Sequence, residues 1–248
     1  MRRSADRRAV VTGAASGIGF AVVQRLLKEG VGVLAVDINA DGMAALEAEG
    51  AEAIVASVAD EADRTRIAVA AGEIDYLVNS AGVLFVKPIW DVTIEEWRHL
   101  YAVNVEGTFF MCQRLGRQIR RGGAILNLSS SSAKLASTVE VTPYSSSKAT
   151  ILGITRSFAY VLAKEGVRVN AICPGIVDTP MQEDVLAKVA PMRGTTAEAL
   201  HEARLKTVPL GRSASPEECA GAIWWLLSDQ AGYMTGQAIN YTGGLVMW

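Results

Sequence analysis

The sequence has few of the residues that build metal centres and disulfide frameworks. It contains two histidines and three cysteines among 248 residues. His99 and His201 are far apart in the chain, which argues against a histidine-rich metal centre. Cys112, Cys173 and Cys219 are odd in number, widely spaced and set among apolar residues. We therefore expect reduced cytoplasmic thiols, with no disulfide framework, zinc site or other bound metal.

Charge and long apolar runs are also scarce. Charged residues make up 20% of the chain and the formal net charge is -2, which gives no electrostatic basis for binding nucleic acid or a membrane surface. The basic N-terminus leads into an apolar run that is too short for a signal-peptide core or a membrane span. We therefore expect a soluble cytoplasmic protein without nucleic-acid or membrane partners.

Half of the chain is hydrophobic, and short apolar runs alternate with longer segments of helical period. The runs that predict strands are residues 9–12, 31–37, 53–58, 76–79, 124–128, 167–173 and 238–241. The segments that predict helices are residues 18–29, 42–49, 63–71, 94–120, 145–165 and 216–227. This order predicts one α/β domain over residues 1–248, a Rossmann-like doubly wound parallel sheet of about seven strands flanked by helices.

The turn after the first predicted strand contains Gly13, Gly17 and Gly19, and a predicted helix follows at once. Glycines here allow a tight turn and let a diphosphate approach the N–H groups of the helix N-terminus. Asp37 ends the second strand about twenty residues later, where a carboxylate can accept hydrogen bonds from an adenosine ribose. Positions 14–19, 38 and 39 contain no Arg or Lys, so the pattern favours NAD over NADP. The alternative is that Asp37 only caps the strand end.

Tyr144 and Lys148 are four residues apart in a predicted helix, so their side chains share one face. A lysine ammonium beside a phenol favours the phenolate and lowers the phenol pKa. Such a tyrosine can exchange a proton with a substrate alcohol near neutral pH. Taken alone, the pair is equally compatible with a solvated lysine beside a half-buried tyrosine.

These motifs, with Asn79-Ser80-Ala81-Gly82, a serine cluster before Tyr144 and Cys173-Pro174-Gly175, resemble the short-chain dehydrogenase/reductase family. The resemblance extends over essentially the whole chain, to Tyr241-Thr242-Gly243-Gly244. It implies a catalytic set of four residues, which are Asn104, Ser130, Tyr144 and Lys148.

In the family pattern, Tyr144 is the general acid/base, and Lys148 lowers its pKa and binds the nicotinamide ribose. Asn104 holds a water that connects Lys148 to solvent, although it is alternatively a polar residue that kinks a long helix. Aligning the strand end with the family selects Ser130, fourteen residues before Tyr144, whereas a spacing of thirteen would select Ser131. Neighbouring serines on a strand face opposite ways, so only one of them fits the role.

The resemblance also implies the cofactor, NAD, and its contacts. The residues expected to bind it are Gly13, Ser16, Gly17, Ile18, Gly19, Asp37, Ile38, Ser57, Val58, Asn79, Ala81, Gly82, Tyr144, Lys148, Pro174, Gly175, Val177 and Thr179. Ser57 departs from the family, which usually has an aspartate there that contacts adenine. We expect altered adenine contacts and not a loss of binding.

The expected substrate is a small polar secondary alcohol or ketone, because the chain resembles NAD-dependent polyol, sugar-acid and 3-hydroxybutyrate dehydrogenases. The residues expected to contact it are Ser130, Ser132, Glu140, Tyr144, Ile176 and Arg193, under a lid over about residues 179–212. Two alternatives remain open, a 3-oxoacyl-carrier reductase and a non-catalytic dinucleotide sensor. Family members commonly form dimers of dimers, so a homotetramer is expected.

Overall fold

The computed structural model describes residues 7–135 and 138–248, so the first six residues of the predicted domain and positions 136–137 lie outside the described residues. The strands are β1 (Arg8–Thr12), β2 (Gly32–Asp37), β3 (Glu52–Val55), β4 (Ile74–Asn79), β5 (Ile119–Leu128), β6 (Arg168–Pro174) and β7 (Ala238–Tyr241). All pair in parallel in the order β3-β2-β1-β4-β5-β6-β7. The predicted doubly wound Rossmann-like sheet is confirmed.

Helices cover both faces of this sheet. They are α1 (Gly17–Lys28), α2 (Ala40–Ala48), α3 (Glu61–Ala71), α4 (Ile94–Tyr101), α5 (Thr108–Gly116), α6 (Thr142–Leu162), α7 (Pro180–Met192), α8 (Ala197–Leu205) and α9 (Pro216–Leu227). One core lies between the sheet and α1, α2 and α9. The other lies between the sheet and α3, α5 and α6. Because β1 to β6 each contribute residues to both cores, their sequences read as nearly continuous apolar runs.

The predicted single helix over residues 94–120 is wrong. Helix α4 gives way to a π-helical segment, Ala102–Gly107, and α5 then ends at Gly116. Ile119 is already paired with Ile74 in the sheet, and a register shift follows it. Gly122, with a φ of 88°, and Gly123 accommodate that irregularity. A side chain on Gly123 would collide with the backbone of Asp75.

The predicted lid contains two helices, α7 and α8. Their apolar side chains form a small separate cluster, in which Val185, Val189 and Leu200 pack together against Leu84 and Val86. Helix α6 begins at Thr142, three residues earlier than predicted, because Pro143 suits the first turn of a helix. The end of α7 lies beside the turn before α6, since Arg193 binds Glu140 there.

No helix in the described ranges has both the length and the apolar character needed to cross a membrane. Across the same residues, no cluster of three or more His, Cys, Asp or Glu side chains is placed to hold a metal ion. The three cysteines are buried and free.

Strands β1, β4 and β5 end at the same level, where Thr12, Asn79 and Asn127 are in register. The strand order reverses between β1 and β4, and ligands of open α/β sheets bind at such a point. Gly13 makes the turn here with a φ of 66°. A Cβ atom on Gly13 would lie 2.6 Å from the backbone of Ala81, so the two turns interlock.

We predict that Gly13→Ala destabilises the protein by about 2–4 kcal/mol, because it combines a disfavoured backbone conformation with a backbone clash. Denaturant unfolding measures the change. Gly221→Ala is the matched control, since its Cβ would meet only Arg25 Nη1 at 3.5 Å inside α9. The control is expected to be unchanged or up to about 1 kcal/mol more stable. Equal unfolding midpoints for Gly13→Ala and wild type would contradict the interlocked turns.

Candidate active site

A cavity of about 680 Å³ lies along the carboxyl edge of the sheet and under the lid. Most of the sequence-predicted site residues line it. They are Gly13, Ser16, Gly17, Ile18, Gly19, Asp37, Ile38, Ser57, Val58, Ala81, Gly82, Ser130, Ser132, Tyr144, Lys148, Pro174, Gly175, Ile176, Val177, Thr179 and Arg193. Three predicted residues do not line it and form hydrogen bonds inside the protein, namely Asn79, Asn104 and Glu140.

The N-terminus of α1 opens into the cavity without a side-chain cap. Ser16 occupies the N-cap position, yet its side chain makes no capping hydrogen bond, and the first turn has no acidic residue. By contrast, Asn39 caps α2 and Thr179 caps α7. The first N–H groups of a helix need an external acceptor and attract negative charge. This end of the cavity therefore fits a dinucleotide diphosphate.

Asp37 lines the cavity beside the turn that precedes α1. Its carboxylate accepts the backbone N–H of Ala15 at 3.0 Å and that of Asn39 at 3.0 Å. Each oxygen keeps further acceptor capacity for a ribose hydroxyl. Ile38 beside it is 70% exposed, so position 38 borders the mouth of the cavity.

Ser57 also faces the cavity but is engaged with its own loop. Its hydroxyl accepts the N–H of Ala59 at 3.2 Å, and its N–H donates to Asp63 at 2.9 Å. Asp63 thus orders the loop from α3, although it does not line the cavity. Ser57 thus presents a hydroxyl to the cavity where the family usually has a carboxylate, and its hydrogen bonds hold the loop in place.

Asn79 was expected to bind the cofactor, but the structure places its side chain inside the sheet edge. Its amide donates to Asn127 at 2.9 Å and contacts the sulfur of Cys112 at 3.2 Å. Asn127 in turn donates to Thr155 on α6 at 3.0 Å. We call Asn79, Asn127 and Thr155 the polar ladder. It ties the carboxyl ends of β4 and β5 to the helix that carries Tyr144, so the role of Asn79 is positional.

The side chain of Asn104 is fully buried and forms hydrogen bonds with the backbone of Val83. Its oxygen accepts the N–H of Val83 at 2.8 Å, while its amide donates to the Val83 carbonyl at 3.0 Å and to Ser147 Oγ at 3.0 Å. It lies in the π-helical segment, where Thr108 donates to the Asn104 carbonyl at 2.8 Å. A π-helical turn frequently accompanies a functional site. Asn104 therefore also lies where the long helix is distorted, in line with the alternative interpretation of this residue.

Ser130 and Tyr144 meet at the wall of the cavity. A hydrogen bond with Ser130 acts on the Tyr144 phenol, and the Ser130 hydroxyl accepts the N–H of Ser132 at 3.1 Å. Ser129 faces the other way and donates to the Lys148 carbonyl at 2.8 Å. Ser131 belongs to the short turn that follows. This geometry favours Ser130 over Ser131 as the hydroxyl partner of Tyr144.

Lys148 is buried behind Tyr144. Its ammonium donates to the Leu128 carbonyl at 2.8 Å and lies 5.5 Å from the centre of the Tyr144 ring. Gly82 leaves the space beside it, because a Cβ there would already be 3.4 Å from the Lys148 nitrogen. Among the described residues, no carboxylate forms an ion pair with Lys148.

Burial opposes the lowering of the Tyr144 pKa that Lys148 is expected to cause. Burial raises the pKa of Tyr144 to about 12, against the opposing effect of the Ser130 hydrogen bond. Burial also lowers the pKa of Lys148 to about 8. Both shifts have one cause, since a low-dielectric site disfavours whichever form is charged. At neutral pH the phenol is therefore protonated.

Glu140 and Arg193, both expected to contact substrate, instead bind each other. Arg193 Nε and Nη2 reach the two Glu140 oxygens at 2.8 and 2.7 Å. The ion pair lowers the pKa of Glu140 and raises that of Arg193. Glu140 also accepts the N–H of Lys87 through its carbonyl at 2.8 Å. The pair joins the end of α7 to the turn before α6.

Comparison with known proteins agrees with this geometry. A family model described as Enoyl-(Acyl carrier protein) reductase matches residues 13–246. D-threitol dehydrogenase of Mycolicibacterium smegmatis is 37% identical over 248 residues, covering 95% of this chain and 91% of the relative. The chain belongs to the short-chain dehydrogenase/reductase family.

Relatives within the family differ in their named activities. The 3-oxoacyl-acyl-carrier-protein reductase of Thermotoga maritima is 36% identical over 250 residues, covering 96% of this chain and 97% of the relative. An actinorhodin polyketide ketoreductase variant, solved with NADPH, superposes with a TM-score of 0.89 at 30% identity over 100% of both chains. Family membership establishes an oxidoreductase of alcohols and ketones that uses a nicotinamide dinucleotide.

Several cavity residues escaped the sequence analysis. Ser80, His99, Gln182, Arg204 and Thr207 all line the cavity. Ser80 follows Asn79 in the quoted family motif, so the motif pointed at it. Gln182 and Arg204 lie on the lid helices α7 and α8, where no motif identifies which side chains face inward. Only the packing of the lid reveals them.

We predict that Lys148→Met is more stable than the wild type at pH 7 by about 1–2 kcal/mol, because it removes a buried charge. The folded-state pKa lies below the unfolded value. The cost of burying the charge is therefore complete below about pH 8 and fades as the pH rises towards about 10.5. The advantage of the variant should shrink over that interval. Unfolding free energies at pH 7 and at about pH 10 measure it.

The control is Lys164→Met, which removes an exposed ammonium near the end of α6. Its stability difference from wild type should be small at both pH values. A Lys148→Met advantage that is absent at pH 7, or that grows with pH, would contradict the buried uncompensated charge.

Proposed function

We propose that the protein oxidises a small polar secondary alcohol with NAD, or reduces the corresponding ketone with NADH. The observation that carries the proposal is the meeting of Ser130, Tyr144 and Lys148 on the wall of a cavity that also contains the uncapped N-terminus of α1. One end of the cavity fits a diphosphate and the other end can exchange a proton. The named activity of the threitol dehydrogenase relative supports a polyol-like substrate.

A nicotinamide dinucleotide held at the N-terminus of α1 and by Asp37 would supply the hydride acceptor for the carbinol carbon. The Ser130 hydroxyl binds the substrate oxygen and orients it towards Tyr144. Tyr144 takes the alcohol proton during oxidation and returns it to the ketone oxygen during reduction. The Lys148 ammonium stabilises the phenolate electrostatically whenever Tyr144 has lost its proton. Asn104 keeps Val83 and Ser147 in place around this pair.

The preference for NAD over NADP rests on Asp37. Its carboxylate lines the cavity and would repel a 2′-phosphate while accepting hydrogen bonds from ribose hydroxyls. The adjacent position is Ile38, which offers no positive charge. Among the described cavity residues, the cations are Lys148, Arg193 and Arg204, and each belongs to α6 or the lid.

A 3-oxoacyl-carrier reductase is the second candidate, because the Thermotoga relative has that name and a structural neighbour was solved with NADPH. The protonated state of Tyr144 at neutral pH also suits a ketone reductase, which needs a proton donor. The dinucleotide preference separates the candidates, since Asp37 opposes NADPH. Initial rates with the two dinucleotides decide between them.

We also propose that the chain acts as a homotetramer in the cytoplasm. The supporting observation is a group of large apolar side chains on α5 and α6 that face solvent, since Phe109 is 38%, Tyr160 89% and Val161 56% exposed. Burying such side chains against a second copy is favourable, and closed two-fold symmetry is the common arrangement.

We predict that Tyr144→Phe lowers turnover at least about a thousandfold, because the phenol oxygen that exchanges the proton is gone. Binding of NADH should stay within about threefold of wild type, since the phenyl ring keeps its packing. NADH absorbance with a polyol and hydroxy-acid panel measures turnover, and fluorescence titration measures binding. Tyr233→Phe, which alters a fully exposed tyrosine, is the control that should keep full activity. Near-normal turnover by Tyr144→Phe would refute the assignment.

We predict that wild type prefers NAD over NADP by at least about a hundredfold in kcat/KM, through the charge of Asp37. The double change Asp37→Ser with Ile38→Arg should invert this preference, because it replaces repulsion with a phosphate-binding cation. The control is Asp41→Ser, which removes an exposed acid at the start of α2. An unchanged NAD-to-NADP ratio in the double variant would show that Asp37 does not set the preference.

A further inference from the structure

Arg204 is a cation in the cavity wall that has no role in the proposed reaction. It lies in the last turn of α8, is half-buried and lines the same cavity as Tyr144. The structure gives its guanidinium no hydrogen bond or ion pair with any other described residue. A half-buried charge without a partner is costly, so buried charges are normally paired.

The surroundings of Arg204 are positive. Arg193 is close enough that, together with burial as the larger cause, it lowers the pKa of Arg204. Arg193 itself is neutralised by Glu140, whereas no carboxylate of the described residues forms an ion pair with Arg204. Asp37 is the one acidic side chain among the described residues of the cavity wall, and it lies on β2 at the adenosine end.

Arg204 is on the substrate side of the cavity. Arg193, whose charge acts on it, is bonded to Glu140 only four residues before Tyr144. One turn before Arg204, Leu200 packs with Val189 near the end of α7. The glycine turn, by contrast, faces the start of α7, where Thr179 lies 3.3 Å from a Cβ position on Gly17.

The guanidinium of Arg204 suits an anionic acceptor. A half-buried donor without a partner costs free energy until an acceptor arrives. A planar guanidinium binds carboxylate or phosphate oxygens with two parallel hydrogen bonds.

We propose that Arg204 forms an anion subsite for the substrate, so that the secondary alcohol or ketone bears a carboxylate or a phosphate group. This rests on the proposed function and narrows its substrate class to hydroxy acids, sugar acids and sugar phosphates. The subsite is part of α8, in the segment predicted to be a lid. Neutral polyols then bind without this contact.

The test uses matched alcohols that differ in one anionic group: 3-hydroxybutyrate against its methyl ester, gluconate against sorbitol, and sorbitol 6-phosphate against sorbitol. We expect wild type to prefer the anionic member of at least one pair by about tenfold or more in kcat/KM. Arg204→Gln should lose that preference through a higher KM, with the neutral member changed by less than about threefold. Lys206→Gln, an exposed cation two residues away outside the cavity, should keep the preference.

Three outcomes would overturn the subsite. The first is that wild type prefers the neutral member of every pair. The second is that Arg204→Gln keeps the anion preference and the NADH affinity of wild type. The third is that Arg204→Gln keeps the anion preference but binds NADH about tenfold more weakly, which would assign Arg204 to the cofactor diphosphate.

Failure of the proposed function has a separate signature, which is no NADH formation from any alcohol. In that case calorimetric titration of 3-hydroxybutyrate and its methyl ester into the NADH-loaded protein still tests the subsite. Selective binding of the anion that Arg204→Gln abolishes supports it, and equal binding of the two compounds overturns it.

Discussion

The buried ammonium of Lys148 is the constraint around which this site is arranged. It is anchored to the Leu128 carbonyl at 2.8 Å and lies 5.5 Å from the Tyr144 ring. No carboxylate neutralises it among the described residues, and burial lowers its pKa to about 8. Because a buried charge is costly, it favours any negative charge that develops nearby. In the proposed reaction the phenolate of Tyr144 is such a charge, so the destabilised lysine would make the tyrosine usable as an acid/base.

The surrounding structure holds these groups where they can act. The polar ladder joins the ends of β4 and β5 to α6, and Asn104 fastens the π-helical segment to Val83. Above the cavity, the Glu140–Arg193 ion pair joins the lid to the turn that precedes Tyr144. The same pair neutralises Arg193, whereas Arg204 on α8 has no ion pair among the described residues. One end of the cavity thus presents the uncapped N-terminus of α1, and the other presents Ser130, Tyr144 and Lys148.

The sequence predicted the sheet well because each central strand is buried on both faces and so forms an uninterrupted apolar run. Local spacing pointed to Tyr144 and Lys148 on one helix, the family resemblance selected Ser130 at a strand end, and the three lie on one cavity wall. The sequence missed features made by distant contacts. The break at Asn104 depends on Val83, 21 residues away, and the pairing of Glu140 with Arg193 spans 53 residues.

The Tyr144 pKa shows the same limit. Local spacing reveals the neighbouring charge but not the burial that raises the pKa to about 12. A general base with that pKa must become easier to ionise when the site is loaded. The direct measurement is tyrosinate absorbance, taken as wild type minus Tyr144→Phe, titrated with and without saturating NAD. We expect the ionisation midpoint to fall by at least about 2 pH units when NAD is bound. A midpoint that stays near 12 with NAD bound would contradict the role of Tyr144 as the proton acceptor.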